Sequence, residues 1–126
     1  MAEHNDLGKW GEEYAMNYLR DHGYIILEHD WRYGKSKSDI DIICKTEDQT
    51  MVVFVEVKTR SHHEIANPED AVNRRKIYHL GRAADNYVKF NHVTELLRFD
   101  IITIVGCKGG KIEINHMTDA FNPLLL

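Results

Sequence analysis

The stretch Met51-Val52-Val53-Phe54-Val55-Glu56-Val57-Lys58 constrains this chain more than any other. An almost unbroken run of apolar and β-branched residues reads as a central strand, covered on both faces. The run ends by placing two charges, Glu56 and Lys58, at positions i and i+2, which share one face of a strand. Asp39 and Asp41 repeat that arrangement in the preceding segment, Asp39-Ile40-Asp41-Ile42-Ile43-Cys44. The turn at Thr46 to Gln49 predicts that the two segments pair as a hairpin, which brings Asp41 and Glu56 together at a strand spacing of about 4.8 Å.

The rest of the chain supplies what such a pair needs around it. Leu7, Trp10, Gly11, Tyr14, Ala15, Tyr18 and Leu19 recur at intervals of three and four, predicting a first helix capped by Asn5 or Asp6 and ending at Asp21-His22-Gly23. Gly11 inside that pattern costs about 1 kcal/mol against alanine, so something is expected to pack closely there. Tyr24 to Leu27 and Trp31 to Tyr33 read as strand segments, followed by a polar loop at Gly34 to Ser38. Asn67-Pro68-Glu69-Asp70 announces a second helix, a cap followed by proline and two acids, running to about Phe90. Its apolar positions are Val72, Ile77, Leu80, Ala83, Ala84, Tyr87 and Val88. Phe99 to Val105 and Lys111 to Asn115, joined near Gly109-Gly110, supply the last two strands. The order of helix, three strands, helix and two strands predicts an α/β domain with a mixed sheet of about five strands. At 126 residues, a single domain over 1–126 is expected.

Bulk properties narrow the setting. Cys44 and Cys107 lie in apolar runs without a CxxC spacing, as core residues of a reducing, cytoplasmic compartment would. No stretch approaches the ~18 apolar residues of a membrane span, and the start MAEHNDLGKW lacks the pattern of a signal peptide. No Gly-rich phosphate loop, Ser-His-Asp set or HExxH zinc spacing is visible. His62-His63 read as loop residues, and Trp10, Tyr14 and Tyr18 as core packing rather than base-stacking platforms.

Carboxylates as close as Asp41 and Glu56 repel unless a positive charge stands between them. A hard divalent cation, Mg²⁺ or Mn²⁺, held by Asp41, Glu56 and the main-chain carbonyl of Val57, answers that need. Lys58 can then orient or deprotonate water, or stabilise charge on a phosphate, which is the chemistry of phosphodiester hydrolysis. The bland alternative is a pair of solvated charges at a strand end. Asp41, a gap of 14 residues, and Glu56-Val57-Lys58 closing a hydrophobic strand reproduce the spacing of the restriction-endonuclease-like motif written PD-(D/E)XK.

A wider resemblance accompanies that motif. Gly11-Glu12, Ala15, Tyr18-Leu19, Gly23 to Leu27, Trp31-Arg32 and Asp39 to Ile43 look like the first half of the YraN family of small bacterial proteins. Val53-Phe54-Val55-Glu56-Val57-Lys58-Thr59-Arg60 resembles the family's most recognisable block. Pro68, Ala71-Val72, Lys76, Arg98-Phe99-Asp100 and Asp119-Ala120-Phe121 extend the similarity over nearly the whole chain. The resemblance implies a restriction-endonuclease-like three-layer fold, similar to archaeal Holliday-junction resolvases. There a helix glutamate, a strand aspartate and a Glu-X-Lys line one metal site, roles that fall on Glu12, Asp41, Glu56 and Lys58. Where the family has Gly-Glu-Ile-Asp, this chain has Ser38-Asp39-Ile40-Asp41, and Asp39 is placed behind the ligands, supporting them.

Charge divides the functional readings. The 16 basic and 20 acidic residues give −4, whereas a protein binding nucleic acid by charge alone is basic. Setting aside Glu12, Asp39, Asp41 and Glu56 as cation ligands leaves 16 acidic against 16 basic. Residues 58 to 76 hold five basic side chains against three acidic, and Arg60, Arg74, Arg75 and Lys76 are candidate phosphate contacts. One expectation is a Mg²⁺- or Mn²⁺-dependent endonuclease acting on branched or single-stranded nucleic acid, DNA rather than RNA. The other is a non-catalytic module that keeps the nuclease fold and binds nucleic acid or a protein. A homodimer is expected from the pairing of sites common in nucleases of this fold, with Leu124-Leu125-Leu126 as an apolar cover.

Overall fold

The computed structural model describes residues 2–35, 38–61, 73–106 and 109–125. Its elements follow the order α1 (Ala2–Asp21), β1 (Ile25–Arg32), β2 (Asp39–Lys45), β3 (Met51–Arg60), α2 (Arg74–Asn91), β4 (Leu96–Gly106), β5 (Ile112–Met117) and a short 3-10 turn at Pro123–Leu125. The five strands form one mixed sheet in sequence order, with β3 in the middle. β1, β2 and β3 pair antiparallel, β3 and β4 run parallel, and β5 returns antiparallel to β4. A parallel neighbour requires a crossover, and α2 provides it.

The helices cover opposite faces, giving three layers. Ala15 and Leu19 of α1 pack on Ile42, Cys44, Val53, Val55, Ile102 and Ile104. Leu80, Ala83, Ala84 and Tyr87 of α2 pack on Ile40, Ile43, Val52, Phe54, Phe99 and Ile101. β3 therefore alternates Val53 and Val55 toward α1 with Val52 and Phe54 toward α2, and the run is apolar on both faces for that reason. Trp10, Tyr14 and Tyr18 pack against the α1-side cluster, as their spacing implies. Cys44 is buried, and burial pushes its thiol up to about 12.

Three boundaries differ from the sequence expectation. The backbone of α1 is helical from Ala2, ahead of the expected cap at Asn5 or Asp6, over a segment that opens with the strong helix former Ala2 and the acidic Glu3. The segments around Leu27 and Trp31 are one strand, β1, ending at Arg32 before Tyr33 and carrying a bulge between Ile26 and Glu28. Helix α2 starts at Arg74, where the Asn73 side chain accepts the Lys76 N–H at 2.9 Å from an extended backbone. The expected cap at Asn67 to Asp70, together with Ala71, Val72, His62, His63, Cys107 and Leu126, lies outside the described residues.

A buried ionic network locks β4 to its neighbours. Asp100 is fully buried and takes a bidentate Arg98 guanidinium at 2.9 and 2.8 Å, His116 Nε2 at 2.7 Å and the Asp119 N–H at 3.0 Å. Tyr24 accepts from Arg98 at 2.7 Å, and the Tyr18 hydroxyl meets His116 Nδ1 at 3.1 Å, so the network reaches α1. Burial pushes the Asp100 carboxyl up, but His116 and Arg98 outweigh it and hold it below the usual carboxylate range.

Candidate metal centre

β2 and β3 pair from Lys45↔Val52 to Ile42↔Val55 and then part. The next residues in that register are Asp41 and Glu56, at the fork. In place of the missing rung, Asp41 Oδ2 accepts the Val57 N–H at 2.9 Å. The side-chain alternation of β2 slips at the same point, since Ile40 belongs to the α2-side core and Ile42 to the α1-side core. The fork leaves a cleft of about 320 Å³ lined by Glu12, Asp39, Asp41, Glu56, Lys58 and Lys76, among others.

Helix α1 reaches the cleft because Gly11 has no side chain. A Cβ there would collide with the side chain of Thr59 on β3, which is the close contact its place in the helix implies. Glu12, the next residue, is thereby set beside Asp41. A third carboxylate joins them, and the sequence reading did not single it out. Asp30 of β1 lies between the register pairs His29↔Ile42 and Trp31↔Ile40, directly across from Asp41, with a left-handed φ of 49°. Oxygens of Glu12, Asp30 and Asp41 all fall within 4.8 Å of one another. The signal for Asp30 was its strand neighbourhood, hidden because Glu28-His29-Asp30 breaks the apolar pattern and makes one strand look like two.

The electrostatics of the cluster are those of charges held too close. Burial, Asp30 and the Asp41 and Asp39 charges together push Glu12 up to about 8. Burial and the Glu56 charge push Asp41 up to about 8 against the lowering effect of the Val57 N–H. Glu56 is only 5% exposed. Its Oε2 takes the Lys76 ammonium at 3.1 Å, while Oε1 is buried with no hydrogen-bond partner among the described residues.

That orphaned oxygen, beside a cluster of carboxylates, fits a hard, oxygen-preferring cation and not a thiolate- or imidazole-seeking one. Glu12, Asp30 and Asp41, whose oxygens converge, are the side chains that would hold it, while Glu56 lines the same cleft outside that group. Val57 lines the same cleft. Asp39 lies at the edge, 3.7 Å from Arg32.

The two lysines differ. Lys58 lines the cleft and, among the described residues, forms no ion pair with a carboxylate, whereas Lys76, a candidate phosphate contact, touches Glu56. Arg74 and Arg75 are exposed on the first turn of α2, and Arg60 closes β3 beyond the cleft.

Comparison with known proteins places this arrangement in a family. The family described as "Uncharacterised protein family UPF0102" matches residues 11–104, which carry Glu12, Asp30, Asp41, Glu56, Lys58 and Lys76. The chain belongs to this family. Its UPF0102 relatives match end to end. One from Bacteroides thetaiotaomicron is 46% identical over 125 residues, covering 99% of each chain. One from Bacteroides fragilis is 45% identical over the same length and coverage. A more distant one from Syntrophomonas wolfei is 43% identical over 119 residues, covering 92% of this chain and 97% of its own. The match to these three UPF0102 relatives thus runs over 92–99% of this chain.

Proposed function

We infer that this protein is a Mg²⁺- or Mn²⁺-dependent endonuclease that hydrolyses phosphodiester bonds in DNA of branched or single-stranded structure. One observation carries the reading. The Glu56 carboxylate is buried with one oxygen unpartnered, beside Asp41, in a cleft that Lys58 shares. Leaving a buried carboxylate oxygen unserved costs stability, and groups of this kind concentrate at functional sites.

When bound, the cation supplies Lewis acidity toward a phosphoryl oxygen and makes its water more acidic. The chain's own residues do the rest. Asp41, fixed by the Val57 N–H, and Glu12, fixed by the Gly11 contact, define the position of the charge. Lys58 keeps its ammonium for the substrate, where it stabilises charge growing on the phosphate. Exposed Arg74 and Arg75 hold the flanking backbone.

The test is calorimetric titration with Mn²⁺ of wild type, Asp41→Ala and Glu56→Ala, followed by incubation of each with branched and single-stranded DNA. Binding and cleavage by wild type, lost in both variants, support the enzyme. Cleavage that persists in Glu56→Ala and in Lys58→Ala removes it. The net charge of −4 favours a second reading, a non-catalytic module that keeps the fold. That module would bind DNA in a salt-sensitive way that survives Glu56→Ala and weakens with Arg74→Gln or Arg75→Gln.

A further inference from the structure

Five carboxylates, from Glu12, Asp30, Asp39, Asp41 and Glu56, face two ammonium groups, from Lys58 and Lys76, around one fork in the sheet. Such a cleft repels a phosphate until positive charge enters it. One of the two lysines already acts against that excess. Lys76 projects from the first turn of α2, on the opposite layer from Glu12, and reaches Glu56 Oε2 at 3.1 Å. Its backbone is pinned by the Asn73 cap, but its side chain is 46% exposed and ends on a flexible four-carbon stem. It also borders a second, smaller cleft of about 170 Å³, lined by Ser38, Asp39, His79 and Leu80, so its ammonium stands at the boundary between two open spaces.

We propose that Lys76 is the resident counter-ion of the acidic cleft: its ammonium holds Glu56 until a divalent cation displaces it, and then faces the substrate phosphate from the adjoining cleft. The proposal rests on the metal-dependent reading above and adds a residue to it. An ion seated on Oε1 puts a second positive charge on the carboxylate that holds the ammonium through Oε2, and that repulsion drives the Lys76 side chain off Glu56. The released charge lies beside the position where the phosphate arrives. Substrate therefore binds after the ion and not before it.

The experiment compares wild type, Lys76→Gln and Lys76→Arg. With the competing ammonium removed, Lys76→Gln binds Mn²⁺ about tenfold more tightly in calorimetry, yet cleaves DNA at least tenfold more slowly. Lys76→Arg, which keeps the charge, stays within about threefold of wild type in Mn²⁺ affinity. A lysine with only a structural role gives the opposite pattern, Mn²⁺ affinity and thermal midpoint falling together in Lys76→Gln, and that result overturns the proposal. So does unchanged Mn²⁺ affinity.

A readout free of substitution is the Lys76 side-chain resonance in ¹³C-lysine-labelled wild type. It shifts on titration with Mg²⁺, and a resonance unmoved at saturation overturns the proposal. Wild type that binds no Mn²⁺ removes the metal reading itself and Lys76's displacement with it. Tighter Mn²⁺ binding by Lys76→Gln without cleavage in either protein keeps the counter-ion and removes the nuclease.

Discussion

Asp41 is tied by its side chain to the strand that carries Glu56, Oδ2 accepting the Val57 N–H at 2.9 Å where the β2–β3 ladder ends. The backbone thus fixes one oxygen of Asp41, and its carboxyl also meets Glu56. Asp41→Asn keeps an acceptor for Val57 and removes the charge, so it should hold the wild-type thermal midpoint while losing Mn²⁺ binding. Asp41→Ala should lose Mn²⁺ binding and also about 1 kcal/mol of stability, measured by urea unfolding.

The crowded carboxylates set a pH dependence with a definite sign. Glu12 rises from an ordinary 4.5 and Asp41 from 3.8, each to about 8, so both bind protons more tightly in the folded chain than in the unfolded one. The stability they contribute is full below about pH 4 and is lost as pH climbs through 8. Metal-free protein should therefore soften from about pH 4 to about pH 8 and level off above, by thermal melting, and saturating Mg²⁺ should cancel that loss.

The same protons must leave when a cation arrives. Mn²⁺ affinity should rise from pH 6 to about 8, by up to about tenfold per pH unit for each proton displaced, and level off above. Calorimetry in two buffers of different ionisation enthalpy counts the protons. A flat profile would show that the two groups are not ligands.

Arg98 is a different kind of residue, remote from the cleft in function. Replacing it by methionine strips the fully buried Asp100 of its bidentate partner and should cost about 3–5 kcal/mol in denaturant unfolding. Mn²⁺ affinity of the molecules that remain folded should be unchanged.

Gly11→Ala drives a methyl group into Thr59. The expected loss is about 1–3 kcal/mol. Because Glu12 is the adjacent residue, Mn²⁺ affinity should fall with it, which separates this substitution from Arg98→Met.

The sheet was legible where side-chain pattern and environment agree. Met51 to Lys58 reads as a central strand because both of its faces are covered, and Gly11 reads as a contact because a helix has no other use for it. The β2–β3 hairpin followed from pairing two strands with matching charge spacing, although its register stops one pair short of Asp41 and Glu56. Asp30 did not follow, because its position depends on a bulge and a left-handed backbone that no periodicity encodes. The Glu56–Lys76 contact did not follow either, because the tertiary crossover of α2 delivers Lys76 from a distant stretch of the chain.

The bulge in β1 has a bearing on how such chains vary in length. It lies between Ile26 and Glu28, on the side of Asp30 that leads back to α1. An extra or missing residue in the turn at Gly23 can be absorbed there as a change in local coiling, while His29↔Ile42 and Trp31↔Ile40 keep their places. The fold carries its slack upstream of the acidic cluster. Insertions between α1 and β1 should be tolerated, and a single insertion within β1 between His29 and Arg32 should not.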